Sequence, residues 1–116
     1  MDLPICAVLI YVPDVPIALD WYRSAFRWSQ RRLLSEFDFA YLEFGGVNLE
    51  FVPADEKVSA GAAGTVVYWK VDNFDATLRH FLDLGATLYR GPLAIEHGKR
   101  MCMLRDPWGN CIGLRG

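Results

Sequence analysis

Charge of one sign, paired cysteines and long apolar runs are all scarce in this sequence, and each scarcity removes a class of function. Lys and Arg number 12 against 14 Asp and Glu. The densest basic group, Arg31-Arg32 with Arg27 nearby, is too short to track a phosphate backbone, so nucleic acid is not an expected partner. No stretch approaches the roughly 20 apolar residues of a bilayer span, and the opening Met1-Asp2-Leu3-Pro4 lacks the basic flank and cleavage site of a secretion signal. No membrane association and a cytoplasmic location are therefore expected. The three cysteines, Cys6, Cys102 and Cys111, are odd in number and show no CxxC spacing, which argues against a disulfide framework and a zinc cluster alike. Histidine is as rare, with only His80 and His97. GxSxG, P-loop and GxGxxG motifs are missing, "GAAG" at 61–64 has no strand-to-helix context, and Asp55-Glu56 lies where nothing would desolvate a general acid.

What is present is hydrophobic material in short, regularly punctuated pieces. The 116 residues are 53% hydrophobic and 14% aromatic, enough for one compact domain that buries roughly two thirds of its unfolded surface. "ICAVLIYV" (5–12) is rich in strand formers and stops at Pro13-Asp14. Asp14 can cap a helix whose apolar positions Ala18, Trp21, Tyr22 and Ala25 follow helical spacing and which ends near Phe26 or Arg27. Three strand segments follow, near 28–34, 37–44 and 47–52, with Gly45-Gly46 as the hairpin signal between the last two. "PADEKVSAGAAG" (53–64) has linker composition. The pattern then begins again, with "TVVYWKV" (65–71) as a strand, Asp72 or Asn73 as helix cap, Phe74, Leu78, Phe81 and Leu82 on one helix face, and Gly85 as the helix stop. Segments near 86–90, 99–105 and 110–115 complete a second βαβββ unit.

The repeat can be verified by position. "FGGVNLEF" (44–51) superimposes on "PWGNCIGL" (107–114) at a fixed offset of 63, Gly46 on Gly109 and Glu50 on Gly113, while the strand-to-helix junctions Val12-Pro13-Asp14 and Val71-Asp72-Asn73 lie 59 apart. Internal duplication organises the chain. The predicted fold class is α+β, two tandem βαβββ modules forming a curved mixed sheet around a groove: module 1 at about 1–53, a linker at 54–64 and module 2 at about 65–116.

With "YVPDVPIALDWYRSAF", "VDNFDATLRHFLDLGA" and the terminal "LRDPWGNCIGL" in place, the chain resembles the vicinal oxygen chelate superfamily, which contains glyoxalase I, bleomycin-resistance proteins, fosfomycin-resistance enzymes and extradiol dioxygenases. In metal-dependent members the resemblance implies four ligands, one from the first and one from the last strand of each module. Those positions fall on Ala7, Glu50, Val66 and Gly113, so a single donor survives. A divalent ion needs three or more N or O donors, and neither a metal nor another cofactor is expected. Gly113 reads as a vacated ligand position that also removes bulk from a cavity floor. The resemblance further implies closure of open sheet edges by pairing of modules, so a homodimer is expected.

Strand parity suggests what lines the vacated cavity. Counting by twos from the former ligand positions gives Leu9 and Tyr11, Asn48, Glu50 and Val52, Tyr68 and Lys70, and Cys111 and Arg115. The alternate set, Val8, Ile10, Val12, Leu49, Phe51, Val67, Trp69, Val71, Ile112 and Leu114, suits a sheet packed under helices. Tyr41 and Trp108 join the candidates as an aromatic on the same face and a lip residue in the last turn. The candidate ligand-binding set is thus Leu9, Tyr11, Tyr41, Asn48, Glu50, Tyr68, Lys70, Cys111, Arg115 and Trp108. Glu50 either meets a ligand or remains as a carboxylate on a solvated face, and His97 beside Glu96 reads as a solvated loop pair or as an acid or base at the pocket mouth. Glu50 with Tyr11 and Tyr68 favours a cationic aromatic ligand, whereas Lys70 and Arg115 oppose it. The expected function is metal-free sequestration of an aromatic or cationic compound such as an antibiotic, in the manner of bleomycin-resistance proteins. A divergent glyoxalase-like lyase or isomerase, a cofactor-independent enzyme using Glu50, Lys70 or His97, and a scaffold or regulatory module without a small ligand are the alternatives.

Overall fold

The computed structural model describes residues 5–63 and 65–116. The N-terminal tetrapeptide Met1–Pro4 and Gly64, the last residue of "GAAG", lie outside the described residues. The chain divides into two compact units, 1–60 and 61–116, each an α-helix on a four-stranded mixed sheet.

In the first unit, β1 (Ala7–Val12) is broken by Pro13, and Asp14 takes extended backbone angles while its carboxylate accepts the Ile17 N–H at 3.2 Å. That cap starts α1 (Val15–Ala25), with Pro16 in the first turn, where a missing N–H costs nothing. The helix buries Ala18, Leu19, Tyr22 and Ala25. Its partners are β2 (Gln30–Leu34), β3 (Phe39–Phe44) and β4 (Val47–Pro53) in the order β1-β4-β3-β2, with β1 and β4 parallel and the other pairs antiparallel. Leu42, directly opposite Leu49, and Phe51 make the sheet's buried face. The Tyr22 ring lies 4.8 Å from Phe51 and 5.7 Å from Phe26, which meets Phe44 edge-on at 5.3 Å. Each such fully buried ring or aliphatic side chain contributes about 1.5–3 kcal/mol, so this layer is what holds helix to sheet.

The second unit repeats the design with β5 (Tyr68–Lys70), α2 (Phe74–Asp83), β6 (Thr87–Ala94), β7 (Arg100–Arg105) and β8 (Cys111–Arg115), ordered β5-β8-β7-β6. Asn73, of the two caps considered, is the one used: its side chain accepts from the Ala76 N–H at 3.0 Å. Gly85, at φ +99°, ends the helix; its N–H reaches Leu82 O and the Ala86 N–H reaches back to Phe81 O, the paired bonds of a left-handed stop that glycine adopts without strain. Phe74 and Phe81 are buried, but Leu82, expected on the same face, is exposed.

Two strands depart from the sequence reading. β5 covers 68–70 rather than 65–71, although one hydrogen bond to β8 flanks it on each side, from the Gly113 N–H to Val67 O and from the Val71 N–H to Arg115 O, both at 2.9 Å; farther upstream the Gly61 N–H bonds Asn110 Oδ1 at 2.9 Å and Ala62 O faces Cys111 Sγ at 3.9 Å, placing 61–62 beside the start of β8. β6 runs to Ala94 rather than stopping near 90, with its register against β7 shifting on either side of Arg90. Gly91 allows this, since a Cβ there would lie 2.8 Å from Met101 O. The linker is also more ordered than its composition suggests, with Asp55 Oδ1 accepting the N–H groups of Lys57 and Val58 at 2.9 and 2.8 Å in a local turn.

Candidate functional site

Each sheet has one face under its helix and one face free of it, and the predicted residues that lie on strands, all but Trp108, sort onto the free faces. In the first unit, β1 and β4 pair Ala7 with Asn48, Leu9 with Glu50 and Tyr11 with Val52. Glu43 lies opposite Asn48, and Tyr41 lies opposite Arg32. Leu9, Tyr11, Tyr41, Asn48 and Glu50 therefore share a face with Phe39, whose ring stacks on Tyr41 at 6.2 Å and 20°. Glu43 is engaged there by Arg32 at 3.1 Å.

In the second unit, Tyr68, Lys70, Cys111, Gly113 and Arg115 share the equivalent face, with Tyr68 opposite Gly113 and Lys70 opposite Arg115. Gly113 is buried although it sits on the helix-free side. The reason is Tyr68: a Cβ on Gly113 would stand 2.5, 2.6 and 2.7 Å from Tyr68 Cδ1, Cγ and Cε1, so the ring lies flat on the glycine. Arg115 in turn places its guanidinium carbon 4.9 Å from the ring centroid. The expectation that Gly113 opens a cavity floor is thus corrected, since an aromatic ring fills the space. The corresponding pair in the first unit is Leu9 beside Glu50, where Leu9 stays half exposed at 49%. One module keeps a carboxylate flanked by a smaller side chain; the other has exchanged it for a ring over a glycine.

The positions to which the resemblance assigns metal ligands are Ala7, Glu50, Val66 and Gly113. Among the described residues no three His, Cys, Asp or Glu side chains gather to hold an ion. One carboxylate and three side chains without donors do not fit a divalent metal.

"DPWGN" is a tightly bonded hairpin. The buried Asp106 carboxylate accepts the N–H groups of Trp108 and Asn110 at 2.8 and 2.9 Å, and Arg105 Nε donates to Gly109 O at 3.1 Å. Gly109 adopts φ +91°, as its repeat mate Gly46 does at +81°. The motif therefore fixes the β7–β8 turn, and half-buried Trp108 belongs to that turn rather than to a strand face. His97 sits exposed in a turn at φ 60° before β7, and His80 lies on α2, edge-on to Phe81 at 6.0 Å, so neither joins the strand residues.

Cys111 lies on the free face, where partial burial pushes its thiol above the ordinary value against the pull of nearby Arg105. Burial also raises Cys102, which belongs to the core. Parity counting confined to the strands with former ligand positions passed over β7, which adds Met101, Met103 and Arg105 opposite Arg115, Gly113 and Cys111. The same counting extended to all strands finds them. It passed over another feature as well, a concavity of about 640 Å³ on the helix side of the first sheet, where Val15, Pro16 and Leu19 face Leu33 and Ala40. None of the predicted residues lines it.

The sequence model of the glyoxalase/bleomycin resistance protein/dioxygenase superfamily matches residues 5–114. The chain belongs to this superfamily. Among solved structures, a superfamily member from Sphaerobacter thermophilus superimposes with a TM-score of 0.76 at 18% identity, over 98% of this chain and 97% of that one. A family enzyme from Burkholderia phytofirmans gives 0.74 at 20% over 94% of each chain. TioX from Micromonospora sp. ML1 gives 0.72 at 20% over 97% of each. At these identities the likeness is one of fold, and it supports the tandem βαβββ reading. No curated protein sequence matches the chain. No helix among the described residues is long and apolar enough to cross a membrane.

Proposed function

We propose that this superfamily member is a metal-independent binding protein of the bleomycin-resistance type, which sequesters a planar aromatic compound such as an antibiotic. The observation that carries the reading is the Tyr68 ring resting on Gly113: where metal-dependent relatives are expected to present a carboxylate, this chain presents an aromatic ring capped by a guanidinium. With one face on Gly113 and Arg115 over the other, the ring offers its edge, and the guanidinium its outer face, to a flat ligand. The stacked Phe39 and Tyr41 on the free face of the first unit favour the same ligand shape. A homodimer belongs to the proposal, because β2 and β6 end their sheets as strands whose residues are all exposed.

Calorimetric titration of planar aromatic probes, run with excess chelator and again with added Ni²⁺, Zn²⁺, Fe²⁺ or Mn²⁺, tests this. Binding that is the same in every condition, without turnover, supports the proposal. Binding or turnover that appears only with a metal refutes it in favour of a lyase or isomerase.

A further inference from the structure

Charge is distributed unevenly over the free face of the second unit. Its positions on β5, β8 and β7 are Tyr68 and Lys70, Cys111, Gly113 and Arg115, and Met101, Met103 and Arg105. Three of these eight are cations and none is a carboxylate. Lys70 and Arg115 are directly opposite one another in the parallel pair, a like-charged placement that costs stability in a sheet. Among the described residues no carboxylate lies within ion-pair distance of either, although Asp72 follows β5 closely and Glu96 sits in the β6–β7 turn at the same end of the sheet. The carboxylates of this unit are used elsewhere or point to solvent: Asp75 pairs with Arg100 at 2.9 Å, and Asp106 closes its hairpin.

Arg115 is held over Tyr68 and so is partly ordered before any ligand arrives. A guanidinium stacked on a ring keeps its N–H edge available for a planar anion, and its outer face can stack on a second flat group. Lys70 adds a flexible point charge beside it. A like-charged exposed pair, preorganised by an aromatic ring and unrelieved by any protein carboxylate, is relieved by an anionic ligand.

We infer that the ligand of the proposed binding site is a planar aromatic anion, its ring stacking against the Tyr68–Arg115 pair and its carboxylate or phosphate group received by Arg115 and Lys70. The inference rests on the binding reading above and adds the sign of the ligand's charge. It runs against the cation preference that Glu50 lends to the sequence, because Glu50 belongs to the other unit's face whereas the ring over Gly113 is surrounded by cations.

Three probes of one shape separate the possibilities: 2-naphthoate, 2-naphthamide and 2-naphthylmethylammonium, titrated into the full chain by calorimetry in chelator-containing buffer. The inference expects naphthoate to bind about tenfold or more tighter than the amide, the scale of a charge-assisted hydrogen bond. It also expects Arg115→Gln and Lys70→Gln each to lower naphthoate affinity about fivefold or more, and by a clearly larger factor than they lower the affinity of the amide, which loses stacking but no charge pairing. Both side chains are exposed, so the variants fold, and circular dichroism checks that they do. Rising salt should weaken naphthoate and spare the amide. Equal or tighter binding of the amide or the ammonium overturns the anion preference and leaves aromatic binding standing. Failure of all three to bind overturns both.

Discussion

Replacing Gly113 with alanine tests the contact on which the functional reading depends. The new Cβ would lie 2.5 Å from Tyr68 Cδ1 and 2.6 Å from Cγ, against the 3.4 Å at which ordinary contact begins. Because Cγ is the ring atom fixed to the side-chain stem, tilting the ring does not relieve the clash. Either Tyr68 rotates away from Arg115 or β5 and β8 separate. Overpacking of this kind costs about 1–3 kcal/mol. Against it stands the loss of backbone freedom in the unfolded chain, which favours alanine over glycine by about 0.4–1 kcal/mol wherever the native backbone accepts it; Gly113 is not among the positive-φ glycines. With Tyr68→Ala already in place the clash term vanishes and only the unfolded-chain term remains, so Gly113→Ala should then be neutral or slightly stabilising. The coupling between the two substitutions is therefore about 1–3 kcal/mol, equal to the overpacking term. Urea unfolding followed by tryptophan fluorescence gives all four stabilities. Equal effects of Gly113→Ala in the two backgrounds, within about 0.5 kcal/mol, would show that the ring does not rest on the glycine.

Asp14→Ala and Asn73→Ala each remove the side-chain acceptor of a helix N-terminus, so each should cost about 1 kcal/mol in the same assay. Thiol labelling with a chromogenic disulfide should modify exposed Cys6 first and half-buried Cys111 more slowly, and should reach buried Cys102 only on unfolding. Cys102 and Cys111 are raised in the fold above the ordinary 9.0, so the native state holds their protons when the unfolded state has released them. Stability from this source is complete below the unfolded thiol value and declines as pH climbs from there through the higher folded value. Thermal melts at rising alkaline pH should show that decline, and Cys102→Ala with Cys111→Ala should flatten it. Light scattering at tens of micromolar should give twice the 13.2 kDa chain mass; the monomer mass would contradict the homodimer.

Much of the fold was legible because its signals are local or periodic. Asp14 and Asn73 announce helix starts, Gly85 a stop, and the pairs Gly46–Gly109 and Glu50–Gly113 expose the duplication before any coordinate is known. Alternation placed Leu49, Phe51, Ile112 and Leu114 correctly in the core, and they are buried. Less legible was whatever depends on a side chain's rotation or on a distant segment. The pattern says that Gly113 lacks a donor, yet only the rotamer of Tyr68 shows the space to be filled. "TVVYWKV" reads as one strand, yet only Tyr68–Lys70 pair fully with β8, with single bonds at Val67 and Val71 on either side. The segment near 86–90 reads as a short strand, yet the tight approach of Gly91 to Met101 lets β6 continue to Ala94. Arg105 was visible in principle, since the same alternation runs through β7.

Native mass spectrometry of the protein purified from its own cells decides whether binding is metal-independent, because one spectrum reports bound metal, bound compound and subunit count together. After dialysis against a weak chelator, the expected spectrum shows the protein with an organic compound, or the bare protein that takes up 2-naphthoate on addition, and no metal increment in either. A spectrum in which each chain retains about one transition-metal ion would contradict it.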